Sequence, residues 1–297
     1  MVDVLKIALA PAALVLVLTS VTIVGILFVE SLDAWRHEGL GLLLNADWEP
    51  SEWERGRYGM LAPLLGSLLT AGLATLMAVS ISVAVAVFVN EYAPEWLRGL
   101  ISLALYAMAA LPTIVYGMWG LAVVSPLIRQ SGLPLLCARG SPTGQSLFTA
   151  GLVVGLMITP FSAAMALEAY RAFPFTYIEA LHSLGAKGFE RARIVLGYIK
   201  NSIIAAAFLS FGRAVGETTI VALTVGNAFN VPLCPFEPAH TITSVIASQF
   251  GNAFLYPGMQ SSLMAAALVM LLGSSVSTSL GLRLARAAAS RAAGEQA

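Results

Sequence analysis

The run YGMLAPLLGSLLTAGLATLMAVSISVAVAVFVN, Tyr58–Asn90, contains no Asp, Glu, Lys or Arg. A bilayer core about 30 Å thick is crossed by about 20 apolar residues in a helix. In hydrocarbon the backbone N–H and C=O groups have only one another to bond, so an apolar run of this length reads as a membrane-spanning helix. Working outward, four more uncharged windows appear at Ile7–Val29, Gly99–Ile128, Gly140–Leu167 and Pro238–Leu282. A sixth, Asn201 to about Val225, is apolar apart from Arg213 and Glu217. Across 297 residues, 58% are hydrophobic and 11% charged, which is a membrane composition. The reading is an all-α protein of six transmembrane helices. The first run follows Lys6 and is longer than the core of a cleaved signal, so it reads as a retained anchor.

Basic residues set the expected orientation, because Lys and Arg near span ends stay on the cytoplasmic side. An even span count puts both termini together. With the termini inside a cell membrane, ten Lys and Arg, among them Lys6, Arg98, Arg171, Lys187, Arg191 and Arg291, fall in the cytoplasm. Arg36, Arg55, Arg57, Arg129 and Arg139 fall outside. Cys137 and Cys234 then lie in external loops, an oxidising location, as a disulfide or as two thiols. Residues 1–57 read as an anchor and external loop, 58–285 as the transmembrane core and 286–297 as a cytoplasmic tail.

Several chemistries are excluded. His37, His182 and His240 lie in three segments without metal-ligand spacing, so no metal site is expected. No H-E-x-x-H occurs and no nucleophile pairs with a membrane-embedded histidine, so a catalytic role is not expected. The net charge is zero, and no basic patch interleaved with aromatics points to nucleic acid. No G-x-x-x-x-G-K-[ST] loop is present, so ATP hydrolysis cannot be assigned to this chain.

The most polar inside segment, FPFTYIEALHSLGAKGFERARIVLGYIKNS (Phe173–Ser202), is too long for a turn. Helical patterns at Tyr177–Leu184 and Phe189–Leu196 flank Gly185 and Gly188, with Glu190, Arg191 and Arg193 on wetter positions. Within it, Glu179-Ala180-Leu181, three residues, then Gly185 resembles the E-A-A loop of ABC-importer permeases. Leu181 stands for the second alanine, and Leu196-Gly197 stands where that family has Leu-Pro.

YGMLAPLLGSLLTA from Tyr58, LPTIVYGMWG from Leu111, GRAVGETTIVALTVGN from Gly212 and HTITSVIASQFGNA from His240 are similar to segments of phosphate-importer permeases of the PstC type. The resemblance implies a type I importer permease whose coupling helix, carrying Glu179, Ala180, Leu181 and Gly185, docks on a separate ATPase. It implies further partners: a PstA-type second permease, two PstB-type ATPase subunits that hold ATP and Mg, and an external PstS-type phosphate-binding protein. No cofactor is implied in this chain. Molybdate or sulfate import on the same architecture, or an ATP-independent transporter, are the alternatives.

Arg213 and Glu217 raise a separate question. On one continuous fifth helix, Arg213 would lie about 16 Å along the span, close to mid-membrane. A charge there costs on the order of 3 kcal/mol, whereas an i,i+4 pair returns about 0.2–0.5 kcal/mol. The pair should therefore face the bundle interior, a partner or a water-filled path. It reads either as a packing pair or as an anion site in which Arg213 attracts, Glu217 holds it, and Thr218 and Thr219 add hydroxyls. Pro112 and Pro160 should kink the third and fourth spans, and Pro112 is a candidate for shaping the path. Ile242, Val245, Ile246 and Phe250 should form one face of a short external helix, lying either on the outer membrane surface or over the bundle.

Overall fold

The computed structural model describes residues 2–51, 53–137 and 143–294; Arg139 and the last three residues of the expected tail lie outside them. α1 (Val2–Glu38) turns at Gly39 into α2 (Gly41–Leu44) and a small antiparallel hairpin that pairs Trp48–Glu49 with Arg57–Tyr58. α3 (Leu61–Val87) continues through a π-helical turn, Phe88–Tyr92. α4 (Glu95–Ala110) and α5 (Thr113–Trp119) follow, and a second π-helical stretch, Gly120–Val124, leads to α6 (Ser125–Gln130). α7 (Leu147–Arg171) precedes a hairpin of α8 (Phe175–Ser183) and α9 (Gly188–Tyr198). The chain ends with α10 (Lys200–Val215), α11 (Thr219–Thr224), α12 (Ile242–Gln249) and α13 (Met259–Gly294).

Among the described residues four segments are long and apolar enough to cross a bilayer: Leu9–Glu38, Leu61–Tyr92, Leu147–Arg171 and Met259–Ala288. The count of six holds when each of two bent pairs is one crossing. α4 meets the Thr113–Gln130 segment at 94°, and α9 meets α10 at 66°. The first bend corrects the expected kink. Pro112 disfavours helix at the residue before it, and Leu111 is extended with ψ 131°, so the third span breaks completely. Pro160, by contrast, leaves α7 continuous. At the second bend, where Leu196-Gly197 replaces Leu-Pro, the chain turns at Ile199 without a proline.

Lipid tails are as apolar as leucine, so helices in a membrane associate through close packing of small residues. α3 presents Ala71, Ala74 and Ala78, all buried, to Ala150, Gly151 and Gly155 of α7. A Cβ on Gly155 would lie 3.1 Å from the carbonyl oxygen of Ala74, so the approach is set by the missing side chain. α10 meets α13 in the same way: a Cβ at Gly281 would lie 3.1 Å from the Ala205 carbonyl. Buried hydroxyls add cross-links, Ser162 to Ser210 at 2.6 Å and Ser277 to the Phe208 carbonyl at 2.7 Å. α1 lies along α13, and Ala34 and Leu42 join Tyr58 and Met60 in the main core.

At the end opposite the α8–α9 hairpin, the loop after α11 supplies the acceptors that the start of α7 lacks. Leu147 and Phe148 donate to the carbonyls of Glu237 and Pro235, and the Thr149 amide donates to Ser146 Oγ. Cys137 and Cys234 are disulfide-bonded and tie this loop to the turn after α6. α12 takes the second of its two expected placements, over the bundle. Ile242 and Val245 are wholly buried, its Ile242 amide donates to Ser67 Oγ of α3 at 2.9 Å, and Thr241 and Ser244 cap each other reciprocally. α3, α11 and α13 pack against the Ile242 and Val245 side of that face, while Phe250 at its end stays exposed.

His240 precedes this capping box, 2% exposed, with Nδ1 2.9 Å from Ser244 Oγ and its ring 4.2 Å from that of Phe229. Burial pushes its pKa down to about 4. The folded state therefore holds the neutral ring while an unfolded chain protonates at its ordinary value. The stability this confers is complete above about pH 6.5 and is lost as pH falls towards 4, on the order of 3 kcal/mol in all. Thermal unfolding in detergent between pH 7.5 and 4.5 should show this fall, and H240Q, which does not titrate, should flatten it. A Cβ on Gly66 would overlap the His240 carbonyl oxygen. G66A is accordingly expected to destabilise by about 1–3 kcal/mol in the same assay.

Candidate functional site

The two broken spans meet. α11 packs on α5, where a Cβ at Gly117 would come within 2.7 Å of Leu223 and 3.5 Å of the Thr219 carbonyl. Beside this contact a cavity of about 280 Å³ is lined by Leu111 and Thr113 from the break after α4, Arg213 from just before a further interruption between α10 and α11, and Met157, Pro160 and Phe161 of α7. Glu168 and Arg171, an exposed ion pair 3.6 Å apart, also line it. Arg213 is exposed; its Nη2 lies 3.7 Å from Met157 Sδ and its guanidinium 5.8 Å from the centre of the Phe161 ring. A second groove, about 490 Å³, also reaches Arg213 and Phe161 and is lined on its other side by Ser274, Ser275, Thr278 and Ser279 of α13.

The expected Arg213–Glu217 pair is absent among the described residues. α10 stops at Val215, so Glu217 lies beyond its end rather than one turn along it. Glu217 Oε1 instead accepts from the Ile220 amide at 3.1 Å, serving the otherwise unpaired first turn of α11. Its carbonyl accepts from Thr243 Oγ1 at 2.8 Å, which ties the break to α12. Thr218 is exposed and Thr219 half-buried. Arg213 is left as a cation beside the Met157 thioether and the Phe161 ring. Pro112 is exposed at the other break, the residue from which α5 starts. Met157 and Phe161 gave no signal in sequence, since both read as span filler.

The α8–α9 hairpin matches the expected helix, bend and helix. Gly185 turns the chain at φ 75°, a left-handed conformation that glycine adopts without strain, and the Ala186 amide closes the α8 end on the Leu181 carbonyl at 3.0 Å. Glu179 and Ala180 are exposed, while Leu181 packs on a small separate core of Ala86, Val89, Leu167, Tyr170, Val195 and Ile199. Phe175, Leu184 and Phe189 are 70%, 83% and 73% exposed on the hairpin surface. Arg191, expected on a wet face, is 19% exposed and pairs with Glu91.

No family model matches the chain. It is 39% identical over 279 residues to the probable phosphate transport system permease protein PstC of Methanocaldococcus jannaschii, covering 91% of this chain and 89% of that protein. The chain belongs to the PstC family of permeases. It is also 37% identical over 264 residues to the phosphate transport system permease protein PstC of Pasteurella multocida, covering 84% and 81% of the two chains. The probable ABC transporter permease protein YqgH of Bacillus subtilis is 30% identical over 244 residues, 81% of this chain and 76% of that protein. This PstC-family chain is thus a multi-pass membrane protein.

Because Glu217 acts on α11 through an acceptor oxygen, its loss should show as stability. E217A is expected to destabilise by about 1 kcal/mol, the usual size of a lost helix cap, and E217Q, which keeps an acceptor, by less. Detergent melting of the two variants beside the parent checks this.

Proposed function

We propose that this chain is the permease subunit of an ATP-driven phosphate importer and forms half of its translocation path. The observation that carries the reading is family membership over nine-tenths of the chain, joined to a cavity at two broken spans in which Arg213 has no carboxylate partner among the described residues. Discontinuous spans near the bilayer midplane recur in transporters as places where substrate is held. Arg213 supplies the positive charge a phosphate anion needs. The exposed Thr218 and half-buried Thr219 at the break add hydroxyl donors, and Pro112 shapes the opposite wall. Glu217 sets the geometry of the break. An exposed guanidinium without a closing ring of donors binds weakly, which suits a path the ion must leave.

The second wall of the path comes from a PstA-type permease facing the open side of the cavity. The hairpin with Glu179, Ala180, Leu181 and Gly185 lies in the cytoplasm, with both termini, and its exposed Phe175, Leu184 and Phe189 dock one of two PstB-type ATPases that carry ATP and Mg. The end closed by the Cys137–Cys234 bond lies outside and receives a PstS-type phosphate-binding protein.

Phosphate uptake into proteoliposomes holding the full assembly tests the reading. Uptake should require ATP on the hairpin side and resist competing sulfate and molybdate. R213A should lower it at least tenfold, about 1.4 kcal/mol of lost stabilisation, and R213K should lower it less. ATP-independent uptake, or full activity in assembled R213A, would overturn the importer reading or the role of Arg213 respectively.

A further inference from the structure

Glu91 stands at the hairpin end of α3, in the π-helical turn that finishes that span, with its side chain only 8% exposed. Both its oxygens are taken. Arg191 of α9 donates to Oε2 from Nε at 2.9 Å and from Nη2 at 2.7 Å, and Tyr170 of α7 donates its hydroxyl to Oε1 at 2.7 Å. Arg191 also reaches the His182 ring in α8, 3.0 Å from Nε2. One carboxylate therefore joins both helices of the hairpin to two spans. Among the described residues this is the one ion pair between the hairpin and a span. Close packing supports it, because Gly188 leaves only 3.2 Å between its Cβ position and the Tyr92 ring.

A buried ion pair is a poor source of net stability, since desolvation offsets most of its attraction, yet it holds geometry tightly through directed hydrogen bonds. What it holds here is orientation. Tyr170 lies on the same unbroken α7 as Phe161, nine residues or about 13.5 Å along the helix, and Phe161 lines both grooves at Arg213. We infer that Glu91 is a positioning residue for energy coupling: it clamps the α8–α9 hairpin to α7, so that a displacement of the hairpin moves the wall of the anion path as one body. The inference rests on the coupling role proposed above for the hairpin.

The test is the number of phosphate ions transported per ATP hydrolysed in the complete reconstituted assembly, with the amount of co-purified ATPase and its KM for ATP measured alongside. Three variants are compared with the parent: E91Q, Y170F, and E91L/R191M, which removes the clamp without leaving a buried charge unpaired. The expected result is a ratio lowered about tenfold in E91Q and E91L/R191M and less in Y170F, with ATPase content and KM unchanged. A merely structural role predicts that E91L/R191M regains the parent ratio, and that outcome overturns the inference. Should E91Q fail to assemble, the double variant and Y170F decide, a parental ratio in both counting against the clamp. A parent assembly without ATP-driven uptake would instead sink the importer reading itself.

Discussion

The close approach of α3 and α7 is the constraint on which the rest of the molecule depends. Between apolar helices in lipid nothing resembling the hydrophobic effect acts, so contact has to come from backbones that can come near one another. Alanines on α3 facing alanine and glycines on α7 provide that nearness. Once α7 is fixed, it carries Met157, Pro160 and Phe161 to the cavity at mid-length and Tyr170 to the hairpin end. A larger residue at Gly151 or Gly155 would displace all four side chains together.

Breaking a span exposes backbone groups that lipid cannot satisfy. Each break here is repaired from within. The Tyr116 hydroxyl donates to the Met108 carbonyl at 2.9 Å and thereby serves the end of α4, while Glu217 serves the start of α11. The repair explains why a carboxylate is tolerated beside Arg213 without pairing to it: Glu217 is engaged by the helix it starts. That leaves the Arg213 guanidinium free of Glu217 at the junction, in a cavity that Glu168 and Arg171 also line.

The spans were legible because hydrocarbon demands long uncharged runs, and the α8–α9 hairpin because Gly185 and Gly188 interrupt a helical pattern within one polar segment. The failures have physical causes. Pro112 and Pro160 look alike in sequence, yet one ends a helix and the other is absorbed, since α7 is held along its length by α3 while α4 has no buried residue to hold it straight. The i,i+4 spacing of Arg213 and Glu217 presumed a helix that Gly216 interrupts. The placement of α12 stayed open in sequence because its apolar face was visible and the protein surfaces that cover it were not. Glu91 and Arg191 are 100 residues apart, and nothing local announces that they meet.

The bond between Cys137 and Cys234 also settles a matter of counting. Its ends are 97 residues apart and must lie on one face of the membrane, so the chain between them crosses an even number of times. α7 makes one of those crossings. The return has to be made by α10 and α11 together, since the interruption at Gly216 leaves each too short to cross by itself. Parity, rather than hydropathy, makes that fractured run a single complete span.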